Sequence, residues 1–496
     1  MALLRSILCK ALLHPRRKAV TDDLRQWSYG KLAGGAFFLA DAIRRHTDKK
    51  QVGLMLPTSG AFPAALLGCW QAGRVAVPLN YLLSKEDLQY VIRDAGLDTV
   101  FTVSKMLEVV GEDAIPKGVK VVRLDEMKFT GLPPVRWPAK PSDKDLAVLL
   151  YTSGTSGKPK GVMLSHGALD NNVRSIIKHV GLGQANGFLG VLPQFHAFGV
   201  TALTLMPLYL GAHVIYTARF VPRKIIELMR EHKPNIFIAV PSMYGALLSV
   251  KSAKPEDFAG LDFAVSGAEP LPQSVYNAYL EKFNCKLLEG YGLTETSPVT
   301  NWSTPRENRQ HAVGKALPGV TNLIVDEHNK ILGPDQEGEI LIAGPNVMDG
   351  YWHLPEQTAE VFIEIDVPGK GKTRCFRTGD IGKLDTDGYL YITGRKKEML
   401  IIGGENVFPR EIEELLNMHP SVKASAVVGK QDDMRGEVPI AFVELNEGSA
   451  FDETELRNFV RDKLAQYKVP REVRVLPELP RNPTGKILRR SLTALV

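Results

Sequence analysis

Leu146-Ala-Val-Leu-Leu-Tyr-Thr-Ser-Gly-Thr-Ser-Gly-Lys-Pro-Lys-Gly161 runs from an apolar stretch straight into ten residues of glycine, hydroxyl side chains, lysine and one proline. The apolar half reads as a strand buried in a helix-covered sheet. The second half has the chemistry of a phosphate loop. Glycines let backbone N–H groups approach a polyphosphate, hydroxyls donate to its oxygens, and lysines offset its charge. Thr152, Ser153, Gly154, Thr155, Ser156, Gly157, Lys158 and Lys160 are therefore candidate phosphate contacts. No glycine stands where a Walker A loop requires one ahead of Gly-Lys-Ser/Thr, so this is a different loop.

Working outward, short apolar runs alternate with helical patterns over most of the first 300 residues, the rhythm of an α/β domain. Strands are expected at 52–56, 99–103, 119–124, 146–152, 188–192, 236–240 and 263–266, and helices at 61–71, 168–179, 221–231 and 273–283. The uncharged stretch 197–212, interrupted by Gly199, Pro207 and Gly211, is too broken and short for a membrane span. It reads as a buried helix running into a buried strand. From 338 to 391 β-runs cut by Gly, Asp and Pro suggest a smaller antiparallel unit, with strands at 339–343, 382–384 and 389–393. A boundary near Gly394-Arg-Lys-Lys-Glu398 divides the chain into 1–394 and 395–496. The tail has a helix at 410–417, strands at 423–428 and 438–445, and a helix at 453–465. The fold class is thus α/β: a large multilayered N-terminal domain with a small β subdomain, then a small α+β domain, whose mobility the resemblance given below implies.

The 61 Lys and Arg exceed the 55 Asp and Glu by 6, too small an excess over 496 residues for a nucleic-acid binder. Cys9, Cys69, Cys285 and Cys375 have no disulfide or zinc spacing, which fits a reducing cytoplasm. At the N-terminus Leu3, Leu4, Ile7, Leu8, Ala11 and Leu12 fall at helical spacing, broken by Arg5 and Lys10, unlike a cleaved signal peptide. The first expectation is a helix packed on its own domain, the second a helix lying on a membrane surface.

The block Tyr151-Thr-Ser-Gly-Thr-Ser-Gly-Lys-Pro-Lys-Gly-Val162 resembles the signature of the adenylate-forming superfamily of acyl-CoA synthetases, luciferases and peptide-synthetase adenylation domains. Further blocks are similar to the family's motifs and stand in its order: Leu192-Pro-Gln-Phe-His-Ala-Phe-Gly199, Ser266-Gly-Ala-Glu-Pro-Leu271, Glu289-Gly-Tyr-Gly-Leu-Thr-Glu295, Phe376-Arg-Thr-Gly-Asp380, Gly394-Arg395, Gly403-Gly-Glu-Asn406 and Asn482-Pro-Thr-Gly-Lys486. Together they span nearly the whole chain.

The resemblance implies that a carboxylate attacks the α-phosphate of ATP, expelling pyrophosphate, and that the acyl-adenylate then passes its acyl group to a thiol. Two anions must meet, so positioning and electrostatic stabilisation carry most of the rate. Thr152 to Lys160 would hold the departing phosphates, Thr294 the α-phosphate and Glu295 a Mg²⁺ ion. Gly267, Ala268 and Glu269 with Tyr291 would frame the adenine, within a nucleotide site to which Glu289, Gly290 and Gly292 also belong. Asp380 and Arg395 would bind the ribose hydroxyls. Lys486 would bridge the substrate carboxylate and the α-phosphate. One site cannot present both that lysine and a thiol at once, so the tail domain should turn, with Lys397 at the hinge. Gly403, Gly404, Glu405 and Asn406 would then line the pantetheine channel of coenzyme A, and His196 would gate the acyl pocket. Leu400-Ile401 stands where many relatives carry Ile-Lys, and Phe376 where a Tyr is common.

No Asp or Arg appears where amino-acid-activating relatives grip an amino group, and the surroundings of Phe195, Val265, Met243, Gly290 and Leu293 are apolar. A medium- or long-chain fatty acid is the expected substrate and coenzyme A the expected acceptor. An acyl-carrier protein as acceptor, or an aromatic acid as substrate, is the alternative.

Overall fold

The computed structural model describes residues 2–134, 136–152, 158–432, 434–481 and 485–496. Leu146–Thr152 is a strand, as its apolar run predicts, lying parallel to Val75–Pro78 and antiparallel to Lys160–Ser165. The antiparallel register ends on Thr152 opposite Lys160, so the two ends of the phosphate loop are held side by side. Ser153 to Gly157, five of the expected contacts, lie outside the described residues.

A seven-stranded sheet holds this hairpin together with the parallel strands Gln51–Met55, Val75–Pro78, Thr99–Thr102 and Lys120–Arg123. A second sheet is larger. Its parallel strands Gly187–Gly190, His213–Tyr216, Ile236–Ala239, Phe263–Ser266 and Leu287–Gly292 continue without a break into antiparallel strands, fourteen in all among the described residues. Continuity arises because Leu287–Gly292 pairs parallel with one neighbour and antiparallel with Val299–Trp302. The small β unit is therefore an extension of the α/β sheet. Its strand Gly371–Leu384 is far longer than the three residues expected, because Lys, Arg and Gly hide the alternation while Phe362–Val367 and Gly338–Ala343 supply its backbone partners.

The uncharged stretch is helical from Ala197 to Leu210, with a π-type turn at Thr201–Leu205, and then enters the strand His213–Tyr216. Two buried threonines are satisfied inside it, Thr201 donating to the Ser297 carbonyl at 2.8 Å and Thr204 to that of Gly199 at 2.9 Å. π-Type turns recur where a helix lines a functional site.

The N-terminal helix α1 (Ala2–Leu13) packs Leu3, Leu4, Ile7 and Ala11 into the main core, in agreement with the first expectation. Leu12 departs from the expected stripe and is exposed. Its neighbour α2 (Tyr29–His46) is capped by Ser28, whose hydroxyl accepts the Lys31 N–H at 3.2 Å. Ile7→Ala should cost about 2–4 kcal/mol through lost transfer energy and a residual cavity, read as a lower urea midpoint. An unchanged midpoint would contradict this packing.

Beyond Arg395 a separate five-stranded sheet (Leu400–Ile402, Glu405–Val407, Val422–Asp432, Gly436–Leu445, Glu472–Val475) packs with the helices Pro409–Leu416 and Glu453–Arg461 around its own cores. The second helix stops four residues short of the expected 465, and Gln466–Lys468 forms a 3-10 turn before Pro470.

Candidate active site

A cleft of about 2160 Å³ lies between the large domain and the tail, and Ala268, Glu269, Glu289, Gly290, Tyr291, Gly292, Asp380, Arg395, Lys397 and Lys486 all line it. Residues separated by more than 200 positions in the chain thus share one space.

Asp380 is a buried carboxylate of its lining. The strand Gly371–Leu384 pairs with Tyr389–Arg395 so that Asp380 faces Arg395 directly. Arg395 Nε lies 3.0 Å from Asp380 Oδ1, and the Tyr291 hydroxyl donates to Oδ2 at 2.6 Å. Burial works against the Arg395 charge, but Asp380 and Glu398 more than offset it and raise its pKa. The Tyr291 phenol is pushed well up by burial and by the carboxylate beside it, so it is a hydrogen-bond donor throughout the physiological range.

Lys486 enters from the tail. Gly485 before it has φ +95°, a backbone conformation that side-chain-bearing residues adopt only with strain, and it lies against Ser242 of the large domain, whose hydroxyl a Cβ there would meet at 2.7 Å. Burial lowers the Lys486 pKa, Arg395 lowers it further, and Glu269, Glu398 and Asp380 oppose the shift. Glu269 is raised in turn by its own burial, with Lys486, Arg481 and Arg489 acting the other way. Glu289 is pushed up to about 7 by burial, moderated by Arg410.

Arg489 reads from sequence as part of a solvated basic tail. It is instead gripped by Glu413, with Nη2 at 2.8 Å from Oε2 and a second contact through Nη1, and its Nε lies 3.2 Å from Glu398. Burial disfavours its charge, and the two carboxylates more than restore it. The only signal was the acidic run Glu411, Glu413, Glu414, some seventy residues upstream. The tail is tied to the large domain by Arg410, whose Nη1 donates to the Ile392 carbonyl at 2.5 Å. It is also tied by Phe408, packed against Gly394.

Thr294 and Glu295 form a short 3-10 turn after the strand Leu287–Gly292. Tyr351, which the sequence did not single out, donates to Glu295 Oε1 at 2.9 Å, and its ring carries the Lys160 ammonium at 5.2 Å. Lys158 lies 5.1 Å over the Tyr90 ring. Glu295 is near enough to Arg395 and Lys397 to favour their charged forms, although burial leaves the Lys397 pKa lowered.

His196 heads the buried helix, its ring 4.7 Å from that of Phe195, which meets Tyr81 edge-on at 4.9 Å. Two residues on, Phe198 packs under Gly267. The His196 Nε2 is sealed from water without a hydrogen-bond partner among the described residues, and burial holds the ring down to about 4. His166 and His213 are held to about 4 in the same way. Depressed histidines bind fewer protons folded than unfolded, so their stabilisation is complete above about 6.5 and is lost as pH falls towards about 4. Urea midpoints should fall across that window, and His196→Gln should reduce the slope by up to about one proton. A slope indifferent to this change would contradict the sealed, neutral ring.

Gly403 and Gly404 are brought elsewhere. They form the turn between Leu400–Ile402 and Glu405–Val407, with φ of +62° and +88° as a two-residue hairpin demands, and Glu405 and Asn406 beside them are exposed. They do not line the cleft in this arrangement.

Residues 10–352 match the AMP-binding enzyme family, and residues 411–486 match the AMP-binding enzyme C-terminal domain. The chain belongs to the AMP-binding enzyme family. Among similar AMP-binding enzymes, a long-chain-fatty-acid–CoA ligase of Bacillus subtilis is 32% identical, with 99% of this chain and 94% of the relative covered. A feruloyl-CoA synthase of an Amycolatopsis species is also 32% identical, over 97% and 96% of the two chains. The crystal structure of ATP-bound MatB from Rhodopseudomonas palustris superimposes with a TM-score of 0.91 at 30% identity, covering 99% of this AMP-binding enzyme and 98% of MatB.

Proposed function

We propose that this AMP-binding enzyme is an ATP-dependent acid–thiol ligase that joins a medium- or long-chain fatty acid to coenzyme A through an acyl-adenylate. The observation that carries the reading is the convergence of Lys486, from the tail, with Asp380 and Glu269 of the large domain and Arg395 at the boundary in one cleft. A lowered lysine pKa there reflects desolvation, which strengthens the pull of an ammonium on incoming anions.

In this reading the ribose hydroxyls meet the Asp380–Arg395 pair, an acceptor beside a forked donor. Ala268, Tyr291 and the strand bearing Glu289, Gly290 and Gly292 flank the adenine. Thr152, Lys158 and Lys160 hold the departing phosphates with the loop between them. The carboxylate oxygen attacks the α-phosphorus, the bond to the β-phosphate oxygen breaks, and pyrophosphate leaves with the electron pair. Thr294 and Lys486 steady the charge on the α-phosphate oxygens and the incoming carboxylate.

Among the described residues no group of three or more His, Cys, Asp or Glu could hold a metal ion. Mg²⁺ does not need one, because it commonly takes one or two carboxylates, water and substrate phosphates. Glu295, with one oxygen already steadied by Tyr351, fits that single-carboxylate role. When bound, the ion would neutralise phosphate charge.

The thioester step needs room for a thiol where Lys486 now sits. The tail turns about Lys397, withdrawing Lys486 and bringing the Gly403–Gly404 hairpin towards the acyl-adenylate. That the hairpin does not line the cleft in the present arrangement is consistent with two alternating positions. Phe195, buried and packed against the His196 ring, supports a hydrophobic guest. The feruloyl-CoA synthase relative favours a second reading, an aromatic acid.

Pyrophosphate release should be measured across saturated acids of increasing length and aromatic acids, each offered coenzyme A or an acyl-carrier protein. The reading expects release and thioester formation with medium or long saturated acids and coenzyme A. Turnover confined to aromatic acids, or to the carrier protein, would replace substrate or acceptor accordingly.

A further inference from the structure

Two exposed segments distant in sequence lie along one row of α2. The Gly30 N–H donates to the Pro15 carbonyl at 2.9 Å, just past the end of α1. One turn on, Gly34 faces Pro133, and one turn further the Phe38 ring meets Phe129 edge-on at 5.7 Å. Positions 30, 34 and 38 share one helix face, so the end of α1 and the 127–142 segment are neighbours.

What these neighbours present to solvent is unusual for a soluble surface. Leu132 is 94% exposed, Trp137 93%, Leu12 80% and Leu13 72%. The charges of the two segments are just as one-sided. Residues 1–21 hold five Lys or Arg and no Asp or Glu, and residues 127–142 hold three and none. Asp41, the carboxylate facing this row from α2, is engaged by Arg45 at 3.0 Å and by Arg136 at 3.7 Å. Glu126, just before the segment, is paired with Arg123.

We propose that this face docks on a bilayer carrying anionic headgroups, with Trp137, Leu132 and the Leu12–Leu13 end of α1 entering the headgroup region and the surrounding Lys and Arg meeting the lipid charge. Charge complementarity selects this occupant: exposed apolar residues on two segments that together carry eight Lys or Arg and no Asp or Glu suit a negative lipid surface. Trp belongs at such an interface, its ring apolar and its N–H polar. Among the described residues no helix is long and apolar enough to cross a membrane, so the contact is a surface one. The inference stands apart from the reading of the reaction, since none of these residues lines the cleft.

The full chain is to be sedimented with phosphatidylcholine vesicles with and without phosphatidylglycerol, at low and high salt. Binding is expected only with phosphatidylglycerol and should weaken with salt. Lys128→Glu with Lys140→Glu should weaken it by about tenfold or more. Leu132→Ser with Trp137→Ser should also weaken it strongly, and both variants should keep wild-type turnover of a water-soluble acid. Equal binding to uncharged vesicles, or variants that bind as the wild type does, would overturn the proposal. So would light scattering showing a dimer that the Leu132→Ser, Trp137→Ser variant abolishes, because the face would then belong to a second copy.

Discussion

Replacing Lys486 by alanine is expected to slow acyl-adenylate formation by about 10²–10³-fold, the range for removing one charge-stabilising donor from a transition state. The ammonium reaches the cleft on a loop whose approach depends on Gly485, and burial strips it of water. Its removal leaves no ammonium between the incoming carboxylate and the α-phosphate oxygens, which Thr294 alone would then steady. Lys486→Arg should recover little, because a planar fork does not replace a compact point charge. Thioester formation from supplied acyl-adenylate should continue near the wild-type rate, since the proposed turn of the tail withdraws the lysine in that step. Acid-dependent exchange of labelled pyrophosphate into ATP reads the first half-reaction, and thioester yield reads the second. Equal loss of both would mean that Lys486 supports the fold or both steps alike.

Asp380→Ala is expected to weaken nucleotide binding by more than tenfold and to lower stability by about 3 kcal/mol. That is the low end for breaking a buried pair, because Arg395 keeps about a third of its exposure. Both carboxylate oxygens are engaged, by Arg395 and Tyr291, so truncation orphans a cation and a phenol together. Asp380→Asn keeps an acceptor for Tyr291 and should recover part of the stability but little of the affinity. Calorimetric titration with ATP and a urea series separate the two effects. An affinity unchanged in the alanine variant would contradict a ribose contact at Asp380.

Elements with clean periodicity were legible from sequence alone. The helices Ala61–Gln71 and Gln273–Phe283 begin and end where their patterns predict, and the run at 146–152 is the strand its apolar residues require. The strand Gly371–Leu384 was not, because its extended backbone is dictated by partners on both sides while its own residues read as polar and turn-forming. Within the site, short motifs carried Asp380, Arg395, Glu269 and Lys486. Arg489 escaped because its partner Glu413 lies 76 residues away, and no local pattern distinguishes a clamped arginine from a solvated one. Tyr351 escaped for the same reason, meeting Glu295 across 56 residues. Exposure of the 127–142 segment was equally invisible, since Trp and Leu in a Pro-rich stretch read as readily as core.

In the proposed reaction a carboxylate oxygen attacks the α-phosphorus of ATP. Supplying a fatty acid labelled with ¹⁸O in its carboxyl group, together with ATP and coenzyme A, and weighing the released AMP by mass spectrometry, tests it directly. The bridging oxygen of the acyl-adenylate stays on phosphorus when the thiol attacks the carbonyl carbon, so AMP should carry one ¹⁸O per turnover. Unlabelled AMP, or ADP in its place, would contradict the claim.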